Sequence, residues 1–219
     1  MRFVILALAG LSLGAAAPRD WTKTVTSTPV GWRAGNPAAA AKLVEYASPN
    51  CPHCAHFAQA TDAQIMAKVK TGRVSFEYRP YMIFPHDVAA ALTARCVPLQ
   101  RRFAFVHDYY ANSSAITDKL RAAMADSTQK AALEAAREEG IGAYNRKVVA
   151  ITGMGSVAAR YGLTPAMINR CVADQAGLDW LQKTQTAAKA ADVRRTPTYE
   201  LNGERLDIGS PEQLLEALK

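Results

Sequence analysis

The chain has 219 residues, 49% of them hydrophobic, and its 26 lysines and arginines exceed its 19 acids by seven. That balance supports a packed core and excludes a disordered chain. The basic residues are scattered, apart from short pairs at Arg101-Arg102 and Arg194-Arg195. No basic run is interleaved with aromatics, so nucleic acid is not an expected partner.

Arg2, an apolar run over 3–13 and the small residues Gly14 to Ala17 have the layout of a secretory signal peptide. Residues 1–17 are therefore expected to be removed by a cut near residue 16 or 17. The apolar run is too short to span a membrane, which takes about 20 residues. What remains suits one domain, or one domain with a substantial insertion. Four cysteines then belong to an exported chain, an even number in an oxidising space.

Only 21–40 precede the first core strand, room for one extra strand. Residues 41–47, with Leu43, Val44 and Tyr46, read as a short strand. A loop, Ser48-Pro49-Asn50, leads into a helix whose first position suits Pro52, because the missing N–H is unpaired there in any residue. Phe57, Ile65, Met66 and Val69 give that helix an apolar face, and Gly72 ends it. Residues 73–78 alternate as a second strand. From 87 to 191 the pattern is helical, with candidates at 87–97, 99–110, 128–139, 144–160, 165–173 and 178–190. Pro98, Gly140, Gly142 and Gly162 punctuate them. Strands over 198–201 and 205–208 then flank Asn202-Gly203, a strong hairpin signal. Ser210-Pro-Glu-Gln213 opens a last helix with a capping box. The layout is β-α-β, a helical block of about 100 residues, then β-β-α.

The motif Cys51-Pro-His-Cys54 falls at the start of the first helix. Unpaired N–H groups and partial positive charge gather there, and they stabilise a thiolate. Protonated His53 would add to that, and Pro52 and His53 together tune the pair. Each unit by which the thiol pKa falls below the solution pH stabilises the reduced form by about 1.4 kcal/mol, or roughly 30 mV. Zinc is a poor fit, because four ligands within 51–56 cannot easily surround one ion and no second ligand pair exists. No metal or other cofactor is expected. Haem attachment is excluded by Ala55, where histidine would be needed. A redox-active dithiol is the preferred reading over an inert disulfide. His56 reads as a solvated or capping histidine, and His86 and His107 as bland helix-associated residues.

The stretches "LVEYASPNCPHCAHF" and "RRTPTYELNG", with the helical block between them, resemble the DsbA family of thioredoxin-fold thiol oxidases, in the branch whose late loop reads T-P-T. The resemblance implies an α/β thioredoxin fold, residues 18–86 and 191–219, interrupted by an all-helical insertion at 87–190. It implies disulfide donation in the periplasm to reduced, newly exported proteins, and reoxidation by a DsbB-type membrane partner. Residue by residue, Cys51 matches the exposed attacking cysteine and Cys54 the buried resolving one. Thr196-Pro197 matches the cis-proline loop that faces substrate, and Glu45 the buried acid that exchanges a proton with the resolving thiol. Threonine before the proline also occurs in disulfide isomerases of this fold. Those usually add a dimerisation module for which this chain has no room, so a monomeric oxidase is favoured. An isomerase or reductase remains the alternative. So does a peptide-holding chaperone with a groove around Pro197, Met82, Phe84 and Met154. Cys96 and Cys171 are each other's remaining partners, and some T-P-T relatives carry a second disulfide. A bridge is expected over two separate buried thiols, with a Cα separation of about 5.5–6 Å.

Overall fold

The computed structural model describes residues 19–219, so the expected signal peptide lies outside the described residues. Strand β1 (Val25–Thr28) and β2 (Gly31–Gly35) form a hairpin that precedes β3 (Ala41–Ala47). Helix α1 (Pro52–Lys70) crosses from β3 to β4 (Val74–Pro80). β5 (Thr198–Leu201), β6 (Glu204–Arg205) and α9 (Pro211–Ala217) complete the domain after seven intervening helices. The sheet order is β1-β2-β4-β3-β5-β6, with β3 and β4 parallel and every other neighbour antiparallel.

β3 is central because Leu43, Tyr46 and Ala47 bury both of its faces. Leu43 joins Val25, Ala34, Ile65, Val69, Phe76 and Leu214 in the core beneath α1 and α9. Tyr46 packs on the other face against Ala188 and Val193. β4 is buried on both faces too. Its Glu77 is 1% exposed and accepts from Arg33 Nε at 3.1 Å and Arg79 Nε at 2.8 Å. Burial pushes the Glu77 carboxyl up, but these guanidinium contacts outweigh it and hold the group below its usual range.

Two strands, not one, precede β3. Val25 pairs with Ala34 and Thr28 with Gly31, so residues 29 and 30 alone make the turn. Gly31 permits the second strand, since a Cβ there would lie 2.1 Å from the Tyr78 carbonyl oxygen. β6 is shorter than the expected 205–208. It is an exposed two-residue edge, and the chain turns away after Leu206 N donates to Tyr199 O. The positive φ of Asn202 (54°) and Gly203 (87°) makes the hairpin turn. The Ser210–Gln213 capping box is formed.

Between β4 and β5 lie α2 (Asp87–Cys96), α3 (Arg102–Ala125), α4 (Ser127–Glu138), α5 (Ile141–Thr152), α6 (Gly155–Ala159), α7 (Pro165–Cys171) and α8 (Gln175–Ala190). α3 runs far beyond the expected 99–110. Asn112, Ser113 and Thr117 look like loop formers, yet Asn112 and Ser113 donate back to the carbonyls of Asp108 and Tyr110. Buried Phe105, Tyr109, Ile116, Leu120 and Ala123 carry the apolar face through. The expected 144–160 helix is broken by Gly153 at φ 68°. Gly142, expected as a stop, sits inside α5. A Cβ there would come 2.8 Å from the Ala173 Cβ, so its smallness serves packing.

Cys96 Sγ is bonded to Cys171 Sγ, with the Cα atoms 6.2 Å apart. That bond ties α2 to α7 inside the insertion.

Candidate active site

β3 ends at Ala47, and the buried Ser48 and Asn50 turn the chain into α1. Cys51 occupies the N-cap position with extended backbone and no side-chain cap bond, and Pro52 follows in the first turn. Cys54, one turn on, is 0% exposed. Both are free thiols. Opposite them the Thr196–Pro197 peptide is cis, and Cys51 Sγ lies 3.6 Å from the Thr196 carbonyl oxygen. Cys51, expected to be exposed, is only 4% accessible, because that loop covers it. The Thr196 hydroxyl is buried on the same side without a hydrogen-bond partner.

These surroundings split the two thiols. A hydrogen bond from Cys54 draws the Cys51 thiol down to about 5. Burial opposes the change, and the Thr196 hydroxyl and the backbone N–H groups of Cys54 and His53 assist it. His53 is exposed, and its backbone rather than its ring supports Cys51. Cys54 goes the other way. Burial, its bond to Cys51 and the charge of Glu45 push it well above the ordinary thiol value.

Glu45 is 3% exposed and accepts a hydrogen bond from Tyr199 Oη at 2.9 Å. Burial, then the charge of Asp62, raise its carboxyl from 4.5 to about 8, against the Tyr199 bond. At neutral pH it is therefore mostly a proton-holding acid beside a thiol that resists ionisation. Glu45 also borders a cavity of about 310 Å³ together with Asp62, Met66, Phe103 and His107.

Met154, proposed as part of a surface groove, is 0% exposed in the core of the insertion. Met82 is half-buried and Phe84 exposed, so any groove here lacks Met154. His56 is exposed, and His86 is buried with Nε2 3.2 Å from Thr117 Oγ1. His107 is not bland. Its Nδ1 lies 3.1 Å from Asp62 Oδ2.

Sequence reasoning missed two carboxylates. Asp62 stands in the series Cys54, Ala58, Asp62, which places it two turns below the resolving thiol on the same helix face; that spacing could have found it. Asp87 is 0% exposed. It accepts from Ser48 Oγ (2.9 Å), Asn50 N (3.2 Å), Asn50 Nδ2 (2.8 Å) and the backbone N–H groups of Ile83 and Phe84 (both 2.8 Å). Tyr109 Oη donates to Asn50 Oδ1 at 3.0 Å. Asp87 thus pins the loop that presents Cys51 to the insertion, and only its place at a helix start was readable.

A family model described as Thioredoxin matches residues 27–219. A candidate protein-disulfide oxidoreductase of Rickettsia prowazekii is 24% identical over 84% of this chain and 58% of its own length. The chain spans 56 to 59% of the length of the curated relatives that it matches along most of its own length. A protein-disulfide isomerase from Novosphingobium aromaticivorans is similar in structure, with 26% identity and a TM-score of 0.71 over 85% of this chain and 96% of that one. Alpha-DsbA1 of Wolbachia pipientis shares the fold at a TM-score of 0.67, with 17% identity over 88% of this chain and 90% of that one. With its dithiol at a helix start, a cis-proline opposite and a helical block inside the fold, the chain belongs to the thioredoxin family.

Proposed function

We propose that the protein is a thiol–disulfide oxidoreductase that donates the Cys51–Cys54 disulfide to reduced, exported proteins in the periplasm. It works as a monomer, and a DsbB-type membrane partner reoxidises it. The observation that carries this reading is the placing of the dithiol, with Cys51 at the start of α1, its Sγ 3.6 Å from the Thr196 carbonyl oxygen, and Cys54 fully buried one turn on; the opposite displacement of the two thiols agrees with it. A substrate thiolate attacks Cys51 Sγ, the Cys51–Cys54 bond breaks, and Cys54 leaves with the electron pair. Glu45 gives Cys54 its proton. A second substrate thiolate then attacks the substrate sulfur of the mixed disulfide, and Cys51 departs as a thiolate stabilised where it stands. The substrate is oxidised by two electrons and the dithiol reduced by two. Thr196 and Pro197 present the backbone edge along which a substrate segment lies.

An isomerase or reductase activity is the second reading. Thr196 before the proline, and the isomerase name of the Novosphingobium neighbour, favour it. Incubating the oxidised protein with a reduced, unfolded disulfide protein separates the readings. Loss of two substrate thiols per protein molecule, matched by the appearance of the Cys51 and Cys54 thiols, supports the oxidase. Reshuffling of a scrambled, fully disulfide-bonded substrate by the reduced protein, with no change in substrate thiols, supports the isomerase. Full activity of a Cys51→Ser, Cys54→Ser double variant would contradict both and leave a chaperone.

A further inference from the structure

The cavity behind the dithiol is lined by three acids, Glu45, Asp62 and Asp108, and by His107, which the exchange chemistry above leaves partly unused. Glu45 reaches it from β3, Asp62 from α1 and His107 from α3. Phe76, Phe103, Met66 and Val106 make most of its wall, so charges across it are weakly screened. Its mouth is wet: the side chain of His107 is 47% exposed and that of Asp62 22%. We propose that Asp62 and His107 form a proton port, an ion pair at the cavity mouth that governs the protonation of Glu45 across it and with it the pH range in which Cys54 is protonated.

This rests on the oxidoreductase reading and deepens it. The electrostatics have a definite sign. Asp62 acts on Glu45 as a like charge and raises it. Burial raises the Asp62 carboxyl and His107 only partly offsets that rise, while Asp62 in turn raises His107 through their hydrogen bond. Other ionisable groups face the port too: the Cys51 thiolate is a second like charge that raises Glu45, and Cys54 feels the Glu45 charge. Asp108 acts on His107, but it accepts from Tyr161 Oη at 2.8 Å and lies 3.8 Å from Arg160. Tyr78, Tyr110 and Tyr199, which face Glu45, are all held above the ordinary phenol value by burial. When His107 is protonated, part of the Asp62 charge is neutralised and Glu45 releases its proton more easily. When His107 is neutral, Asp62 acts on Glu45 at full strength and Glu45 keeps its proton to higher pH. Each proton that Glu45 gives to Cys54 is replaced from solvent at the mouth.

Asp62 and His107 are positioning residues, acting through Glu45, so the test reads Glu45 itself. The Glu45 carboxyl carbon is followed by NMR against pH in the reduced protein. In parallel, the rate of Cys51–Cys54 reduction by a small dithiol is followed against pH. Asp62→Asn should move the Glu45 titration and the alkaline limb of the rate profile down by about half a pH unit or more. His107→Gln should move both up, and the double variant should follow Asp62→Asn. Opposite shifts with that epistasis are not the signature of a merely structural loss. Unmoved titrations, or shifts of one sign in both single variants, overturn the port. A Glu45→Gln variant reduced at the wild-type rate at every pH instead overturns the proton role of Glu45 in the oxidoreductase reading.

Discussion

Cys96 and Cys171 join α2 to α7 across a separation of 75 residues, beside the Arg95–Asp174 ion pair, and both are disulfide-bonded. Cys51 and Cys54 occupy one turn of one helix, against the Thr196 hydroxyl and carbonyl, with Glu45 behind them. Both pairs lie in the same chain. The first closes a long loop and restricts the unfolded chain, which is how a disulfide stabilises. The second closes almost no loop and gains little from that source. Its surroundings instead favour the state in which one sulfur is charged and the other is not. Reactivity here is a property of what surrounds the sulfurs.

The largest expected effect concerns Glu45, the group that sets the reactive pair apart. Its folded value is about 8, against 4.5 for an unperturbed carboxyl. Below pH 4.5 both folded and unfolded chains hold the proton. Between 4.5 and 8 only the folded chain does, so stability falls as pH rises through that window, and above 8 the full loss is present. The shift sets an upper limit of about 5 kcal/mol. Glu45→Gln keeps an acceptor for Tyr199, so it should match the parent at pH 4 and be several kcal/mol more stable at pH 9. Urea titrations of the reduced proteins at both pH values check this, and equal stabilities at pH 9 would count against a buried, proton-holding Glu45.

Replacing Cys96 and Cys171 together by Ala sharpens the comparison from the other side. Opening a loop of that length should lower stability by about 4 kcal/mol in the chain-entropy account. It should leave the Cys51 titration unchanged, because neither sulfur touches the dithiol. Mild reduction of the parent followed by mass spectrometry should open only Cys51–Cys54. Parallel loss of both disulfides would erase the distinction between the pairs.

The central layout was readable because several local signals agree. The β3 strand, the proline after Cys51 and the Ser210 capping box each prescribe their own element. The insertion boundaries of its helices were less so. α3 was cut short because Asn112, Ser113 and Thr117 suit loops when read alone, and only the buried Tyr109–Ile116–Leu120 face makes them helical. At the site, motif spacing pointed to Cys51 and Cys54, and the family resemblance to Pro197. The roles of Asp62, His107 and Asp87 depend on contacts between α1, α2 and α3, which are remote in sequence. His53 illustrates the opposite error: an ionisable side chain inside the motif drew attention, while its backbone N–H makes the contribution.

The central claim is that Cys51 is a stable thiolate near neutral pH. Its value of about 5 against an ordinary 9 lies two units below pH 7, which favours the reduced form by about 2 kcal/mol after allowance for solvent screening, or some tens of millivolts. As a lowered group, it contributes above pH 9 in full and loses that contribution as pH falls through 5. Thiolate absorbance of the reduced protein, titrated from pH 3 to 9 with Cys51→Ser as the blank, reads it directly. A midpoint near 5 that vanishes in Cys51→Ser is the expected result; a midpoint near 9 would contradict the account.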